Sequence, residues 1–376
     1  MMSIHRPRYR ARAVLFIPVL AAAVLAVRVL GGDPLPVPRI EWNPRTYVCY
    51  QTDRPITIDG LLDDPAWDGA DWTDDFVDIE GPARPQPRFR TRVKMLWDAR
   101  YFYVAAELEE PDVWATLTRR DTIIFYDNDF EVFIDPDGDT HEYYELEVNA
   151  YGTEWDLLLV KPYRDGGPAL DEWTIDSLRT AVHVGGTIND PFDTDSGWTV
   201  EFAFPWRSLA EYAHRPSPPE PGDQWRVNFS RVQWQTEVSD SVYVKSIDPR
   251  TGDPYPENNW VWSPQGLIAM HYPEMWGFVQ FSTAIAGTER EPFVHHAHDD
   301  AGWALRRVYY AQRNWRAEYG GYVGNIDMLG LEDPGLDGFA WPPILVMPTD
   351  SFRATFVDTT GELISITEDG RLSWSP

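Results

Sequence analysis

The chain predicts an all-β fold, an antiparallel β-sandwich of jelly-roll or immunoglobulin-like type with a short helix and a small carboxyl-terminal appendage. Three observations predict it. Between residues 55 and 282, short segments alternate polar and apolar side chains and are separated by clusters of Gly, Pro, Asp and Asn. Aromatic residues reach 14% of the 376, with 18 Trp among them, enough rings to fill a broad core between two sheets. Hydrophobic residues at 43% and charged residues at 24% are globular proportions and argue against long disorder.

Each element follows in order. Arg6, Arg8, Arg10 and Arg12 make a basic start, and Ala13–Val27 is an unbroken nonpolar run of fifteen residues. A spanning helix needs about 20 residues, whereas this length suits the hydrophobic region of a signal peptide. The small residues Ala21, Ala22 and Ala23, or Gly31 and Gly32, suit cleavage, with a mature start expected near Asp33; left uncut, residues 1–32 form an amino-terminal anchor. Either way the body is exported, to the periplasm, the cell surface or the medium. Residues 33–54 are Pro-rich and read as a tether. Cys49 is the only cysteine, which excludes an intrachain disulfide, and it reads as a structural thiol.

From Pro55 the pattern is β. Thr91–Trp97 and Tyr101–Glu109 flank a hairpin-length turn at Asp98-Ala99-Arg100. Asp129–Asp135, Tyr143–Ala150, Glu154–Lys161, Gly197–Phe204 and Trp225–Trp234 follow, with Trp260–Trp262 and Gly277–Phe281 closing the set. A short helix fits Pro205–Ala213, with Pro205 at its first position. Residues 283–376 change texture: a polar linker containing His295-His296-Ala297-His298-Asp299-Asp300, a helix over Trp303–Tyr319, then strands at Phe352–Val357 and Leu363–Thr367.

Acids outnumber bases 60 to 32, a net charge of −28. Without the first thirty residues, which hold five arginines and no acid, the balance is 60 against 27, or −33. Such a chain repels phosphate backbones and anionic headgroups, which excludes nucleic acid as a partner and leaves the membrane only to an uncleaved amino terminus.

Residues 55–282 resemble the family 9 carbohydrate-binding modules and the exported proteins that share this sandwich. The resemblance is carried by Ile58-Asp59-Gly60 with Asp64 and Trp67, by Leu96-Trp97-Asp98 with Tyr101–Val104, and by Asn128–Asp135 leading into Glu147-Val148-Asn149. Glu201 before Pro205-Trp206, Asn228-Phe229, Trp262-Ser263-Pro264 and Trp276-Gly277 complete it in order. The resemblance implies a β-sandwich that binds the end of a polysaccharide between two tryptophans, with structural calcium. Here Phe125-Tyr126 stands where the first clasping tryptophan falls, Glu147 where an arginine falls, and Met270-His271 where the second tryptophan falls.

Sugar recognition needs flat rings for the C–H face of a pyranose and polar groups for its hydroxyls. The ring candidates are Phe125, Tyr126, Trp155, Trp234, Trp260 and Trp262, with Glu147, Asn149, Asn258, Asn259 and His271 as polar partners. Loss of the arginine and gain of Glu147 favour neutral β-linked poly- or oligosaccharides over carboxylated sugars. The acidic run Asp127, Asp129, Glu131, Asp135, Asp137 and Asp139 concentrates carboxylates that repel one another unless a cation compensates. Asp127, Asp129, Asp135, Asp137 and Asp139 are therefore the expected Ca²⁺ ligands, competing with a reading as a solvated, Asp-capped turn. His295, His296 and His298 with Asp299 and Asp300 offer a weaker metal set. No organic cofactor is expected, and no nucleophile elbow, zinc-protease, phosphate-loop or haem-attachment motif stands in the sequence. The expected activity is binding without catalysis. A glycan-processing hydrolase remains as one alternative. A haem-binding sandwich of the DOMON kind is another, and would pair Met270 or Met275 with His271 or His183.

Overall fold

The computed structural model describes residues 33–375, so the amino-terminal address or anchor lies outside the described residues. Among those described, no helix is long and apolar enough to cross a membrane. The strands are β1 (Thr46–Gln51), β2 (Val77–Asp78), β3 (Thr91–Trp97), β4 (Tyr101–Leu108), β5 (Asp129–Asp135), β6 (Tyr143–Asn149), β7 (Glu154–Leu159), β8 (Ala169–Leu170), β9 (Arg179–Val184) and β10 (Trp198–Pro205). They continue with β11 (Gln224–Gln233), β12 (Thr236–Ser239), β13 (Val242–Lys245), β14 (Asn258–Val261), β15 (Gly277–Ile285), β16 (Ile344–Val346), β17 (Arg353–Val357), β18 (Leu363–Thr367) and β19 (Leu372–Ser375). Two α-helices are described, α1 (Trp206–Leu209) and α2 (Ala297–Tyr319).

The sandwich is one sheet folded over on itself. One layer runs β8-β7-β6-β5-β11, the other β1-β3-β4-β10-β9, and β15 joins them by pairing with β11 on one side and β1 on the other. Period-two alternation assigns the faces. On β5, Phe130, Val132 and Ile134 turn inward; on β6, Tyr144, Leu146 and Val148 do the same, and all belong to the intersheet core. Phe130 stacks on Phe202 of the opposite layer at 6.1 Å and on Phe229 of β11 at 5.9 Å. Trp206 and Trp225 meet edge to face at 5.5 Å and close one end of that core.

Four sequence expectations change. The stretch read as a tether contains β1, whose Cys49 is fully buried in the core. Its pairings with β15 and β3 are parallel, so the sandwich is not wholly antiparallel. A parallel partner lies far away in sequence, and nothing local announces it. The helix expected over Pro205–Ala213 is only Trp206–Leu209, because Pro205 still pairs within β10 and Tyr144 intercepts the chain beyond. The Tyr144 hydroxyl donates to the Leu209 carbonyl and accepts from the Tyr212 amide. Conversely α2 begins at Ala297, six residues before the expected start, because Asp299 and Asp300 suit a helical first turn.

The appendage has its own core. Leu305, Val308 and Tyr309 of α2 pack on Phe356, Ile364 and Ile366 of the β16–β19 sheet. It docks on the sandwich through buried charge. The Glu274 carboxylate receives Arg164 Nη2 at 2.9 Å and lies 3.8 Å from Arg306 Nε, with the Tyr310 hydroxyl donating to its other oxygen. Burial alone would push Glu274 up, but Arg164 and Arg306 hold it down at about 2. Removing the negative partner from such a pair typically costs about 3–5 kcal/mol, because the remaining charge stays buried. Glu274→Gln is expected to lower unfolding stability by about that amount in denaturant titrations. An unchanged midpoint would show that the junction does not depend on this charge.

Candidate functional site

The outward-facing residues of β5, β6, β7 and β11 build an acidic strip. Register places Glu131 opposite Glu147, Ser230 opposite Glu131, and Trp155 opposite Glu147. Glu145 lies two residues along β6 on the same face. Oxygens of Asp129, Glu131 and Glu147 lie within 4.8 Å of one another, and all three side chains are buried. Their contacts are few. Asp129 Oδ1 accepts from the Val232 amide at 3.2 Å, and Glu147 Oε2 accepts from the Phe125 amide at 3.0 Å. Asp129 Oδ2 and Glu145 Oε2 have no hydrogen-bond partner. Burial first, and mutual repulsion second, raises Asp129, Glu145 and Glu147 well above the usual carboxylate range. Burial pushes Glu131 up to about 7.

Aromatic residues bound the strip. Tyr126 is 53% exposed, with its ring 5.1 Å from that of Phe125. Trp155 is half-buried and packs on Phe133, Tyr143 and Trp276. Tyr163 is exposed and meets His271 edge to face at 4.5 Å. Burial raises the Tyr163 hydroxyl, and the nearby Glu145, Asp171 and Glu147 raise it further. His271 Nδ1 lies 2.9 Å from the Tyr143 hydroxyl, and burial with Arg164 nearby lowers the ring to about 3, so it is neutral.

The sequence-derived ligand set divides. Phe125, Tyr126, Glu147, Trp155 and His271 come together around the strip. Trp260 and Trp262 do not: they are 3% and 1% exposed and belong to the intersheet core. Trp260 packs edge to face on Phe89 at 6.3 Å, and Trp262 lies against Phe229 and Gly277, where a Cβ would fall 2.3 Å from its ring. Asn149 is consumed by its turn, donating to the Leu117 carbonyl and Asp127 while accepting from the Tyr151 and Thr153 amides. Trp234 backs the rim from behind: its Nε1 donates to the Phe125 carbonyl at 2.9 Å, and Lys245 Nζ sits 3.2 Å over its ring. Asn258 donates to the Gln233 carbonyl, and the Asn259 carbonyl accepts from Ile79. Glu145, Tyr163 and Ser230 were missed, although strand parity was a signal for Glu145 and Ser230.

The expected calcium set also separates, into three places. Asp127 accepts from the Thr116 and Leu117 amides, the Thr116 hydroxyl and Asn149, and so fixes a loop. Asp129 belongs to the strip. Asp135, Asp137 and Asp139 form a turn in which five of the six carboxylate oxygens already accept hydrogen bonds, one of them from Arg371 Nε at 2.6 Å. His298 faces Asp358 at 3.4 Å and Glu362 at 3.7 Å rather than the neighbouring histidines. Of the residues named for the haem reading, His183 is exposed on β9, Met275 is buried in the appendage-side core, and His271 Nδ1 is engaged by the Tyr143 hydroxyl.

A cavity of about 590 Å³ lies elsewhere, between the sandwich and α2, lined by Trp42, Arg226, Phe278, Trp303, Arg306 and Trp374 among others. The strip instead gathers rings and titratable groups on one sheet face, an arrangement suited to binding chemistry.

An acid raised in the fold holds its proton there, so Glu131 stabilises fully below its ordinary 4.5 and loses that contribution as pH rises through about 7. With EDTA present, the melting temperature is expected to fall over this window, and Glu131→Gln to flatten the fall. Trp260→Ala is expected to cost about 3–5 kcal/mol as a core deletion. A variant of unchanged melting temperature would return Trp260 to the surface.

Residues 58–220 match the profile of the family described as carbohydrate family 9 binding domain-like. No curated protein matches the chain. Among solved structures, it is similar to a family 9 carbohydrate-binding module from Caldicellulosiruptor kristjanssonii in complex with cellotriose, at 14% identity over 65% of this chain and 99% of that one, TM-score 0.40. The glucose complex of a family 9 module from that organism gives 15% identity over 65% and 100%, TM-score 0.41. A Bacteroides uniformis structure gives 16% over 64% and 100%, TM-score 0.45. The profile match runs from the loop before β2 to the turn before β11 and includes β5, β6 and β7, whose outer face carries most of the strip, and over those residues the chain is similar to the family 9 carbohydrate-binding modules.

Proposed function

We propose that the chain binds neutral β-linked oligosaccharide ends without transforming them, and that it does so at the strip on the outer face of β5, β6 and β7. The observation that carries this reading is the juxtaposition of Tyr126, Trp155 and Tyr163 with Glu131, Glu145 and Glu147. Rings offer C–H contact to a pyranose face, and carboxyls that share protons both donate to and accept from hydroxyls. An acidic strip repels a uronate, so carboxylated sugars are poor ligands.

Hydrolysis has one observation in its favour, the close approach of two buried carboxyls. Retaining glycosidases separate theirs by about 5–5.5 Å and need one ionised and one protonated member. Here burial raises every member of the group in the same direction, which gives no division of roles. Export belongs to the same proposal and rests on the basic start and short nonpolar run of residues 1–32.

Calorimetric titration of the purified chain with cello- and xylo-oligosaccharides tests the reading. Weak binding is expected, with the sugar recovered intact. Tyr126→Ala and Trp155→Ala are each expected to lose about thirtyfold in affinity, the usual cost of truncating an aromatic anchor. Their melting temperatures should stay within a few degrees of the parent. Tight binding of polygalacturonate, or cleavage of the oligosaccharide, would overturn it.

A further inference from the structure

We infer that His298, Asp358 and Glu362 hold a divalent cation of the Zn²⁺ class on the appendage, with water completing its coordination. The site lies outside the stretch that matches the family profile, uses none of the strip's carboxyls and does not require carbohydrate binding. Of the three places among the described residues where three metal-binding side chains converge, this one alone supplies a nitrogen donor. Imidazole with carboxylate suits zinc and its neighbours, whereas an oxygen-only set suits calcium or magnesium.

The fold brings the three side chains together from two elements. His298 is the second residue of α2, while Asp358 follows β17 and Glu362 precedes β18 across their connecting turn. The Phe339 ring meets the His298 ring edge to face at 5.7 Å and limits its rotation. Asp358 is aimed by its own turn. Its Oδ1 accepts from the Thr360 amide and hydroxyl, each at 2.8 Å, and from the Glu362 amide at 2.9 Å. Oδ2 is thereby left facing His298. Metal ligands are commonly oriented by such hydrogen bonds from behind.

The spacing points to an ion. His298 Nε2 lies 3.4 Å from Asp358 Oδ2 and 3.7 Å from Glu362 Oε2. Both separations exceed the roughly 2.7–3.2 Å of an ordinary hydrogen bond. One ring nitrogen carries at most one proton, yet two carboxylates converge on it. Zinc binds nitrogen and oxygen at about 2.0–2.2 Å, which sets neighbouring corners of a tetrahedron roughly 3.4 Å apart. The Asp358 side chain is 11% exposed, whereas those of His298 and Glu362 are 40% and 52% exposed, so water reaches the remaining corner. Two carboxylates match the charge of a divalent ion. Asp299 and Asp300, in the first turn of α2, offset the positive helix end beside it. His295 is held elsewhere, against the Phe293 ring at 4.9 Å, so the adjacent histidines of the sequence do not act as one set.

The test uses the purified full chain, without a histidine tag, after EDTA treatment and dialysis. Calorimetric titration with Zn²⁺ is expected to show binding. Zn²⁺ is also expected to raise the melting temperature, by mass action on the native state. Co²⁺ in its place is expected to give the intense visible absorption of a four-coordinate ion. His298→Gln and Asp358→Asn should each weaken Zn²⁺ binding by about tenfold or more. His295→Gln and His296→Gln should leave it unchanged. His298 is half exposed on a helix surface, so its variant folds and decides the matter if Asp358→Asn disturbs the turn. The inference is overturned if Zn²⁺ produces neither heat nor a melting shift. It is equally overturned if His298→Gln binds Zn²⁺ as the parent does, or if His295→Gln or His296→Gln abolishes the response.

Discussion

Every side chain of β5 and β6 is buried, and the rest of the structure depends on that constraint. A strand with one face on the core and one in water can alternate apolar and polar residues freely. These two strands alternate in the same way, yet their polar face is covered as well. Phe130, Val132, Leu146 and Val148 therefore fill the intersheet core while Asp129, Glu131, Glu145 and Glu147 are pressed together outside it. Shifting the pairing by one residue would place carboxylates in the core, so the pattern fixes register as firmly as any hydrogen bond.

The covering of the outer face comes from segments that the sandwich itself does not need. Phe125 and Tyr126 cross one end and are backed by Trp234; Tyr163, His271 and Trp276 cross the other. Arg164, next to Tyr163, reaches Glu274 and so ties this cover to the appendage. Tyr309 and Arg313 of α2 continue the tie by contacting Asp165. The appendage thus braces one margin of the strip, which gives its buried salt bridges a positional role. Buried ion pairs add little net stability on their own, so position is the better account of why they lie there.

The legible part of this architecture was whatever alternation and turn chemistry write locally. The run Asp129–Asp135 announces a strand and assigns its faces, and the Asp98-Ala99-Arg100 turn announces the β3–β4 hairpin. β1 was hidden because it lies in a Pro-rich context and its partners are parallel strands distant in sequence. Trp260 and Trp262 were misassigned for a related reason. Their turn-rich surroundings suggest a surface loop, but β14 lies along the second half of β11 and carries Trp260 into the core, and Trp262, one residue beyond it, follows with its amide donating to the Phe229 carbonyl. The acidic run was visible as composition, yet its division into a loop anchor at Asp127, a strip at Asp129 and a satisfied turn at Asp135 depends on hydrogen bonds between distant segments. Glu145 and Glu147 join Asp129 and Glu131 only through pairing of two strands, which composition does not encode.

On the proposed reading, recognition and stability are opposed in this sandwich. A face built for a polyhydroxylated ligand needs polar groups that are held still, and burial holds them still at the cost of their preferred ionisation. The dense ring network beneath, in which Phe130 contacts both Phe202 and Phe229, supplies the apolar burial that offsets this strain. Replacing the strip with apolar residues would remove the electrostatic penalty, but would also remove every hydroxyl partner on that face. If the strip binds sugar as proposed, the same burial limits what it accepts, since a ligand would rest on the rim formed by Tyr126, Trp155 and Tyr163 and meet the carboxyls only through groups small enough to pass between those rings.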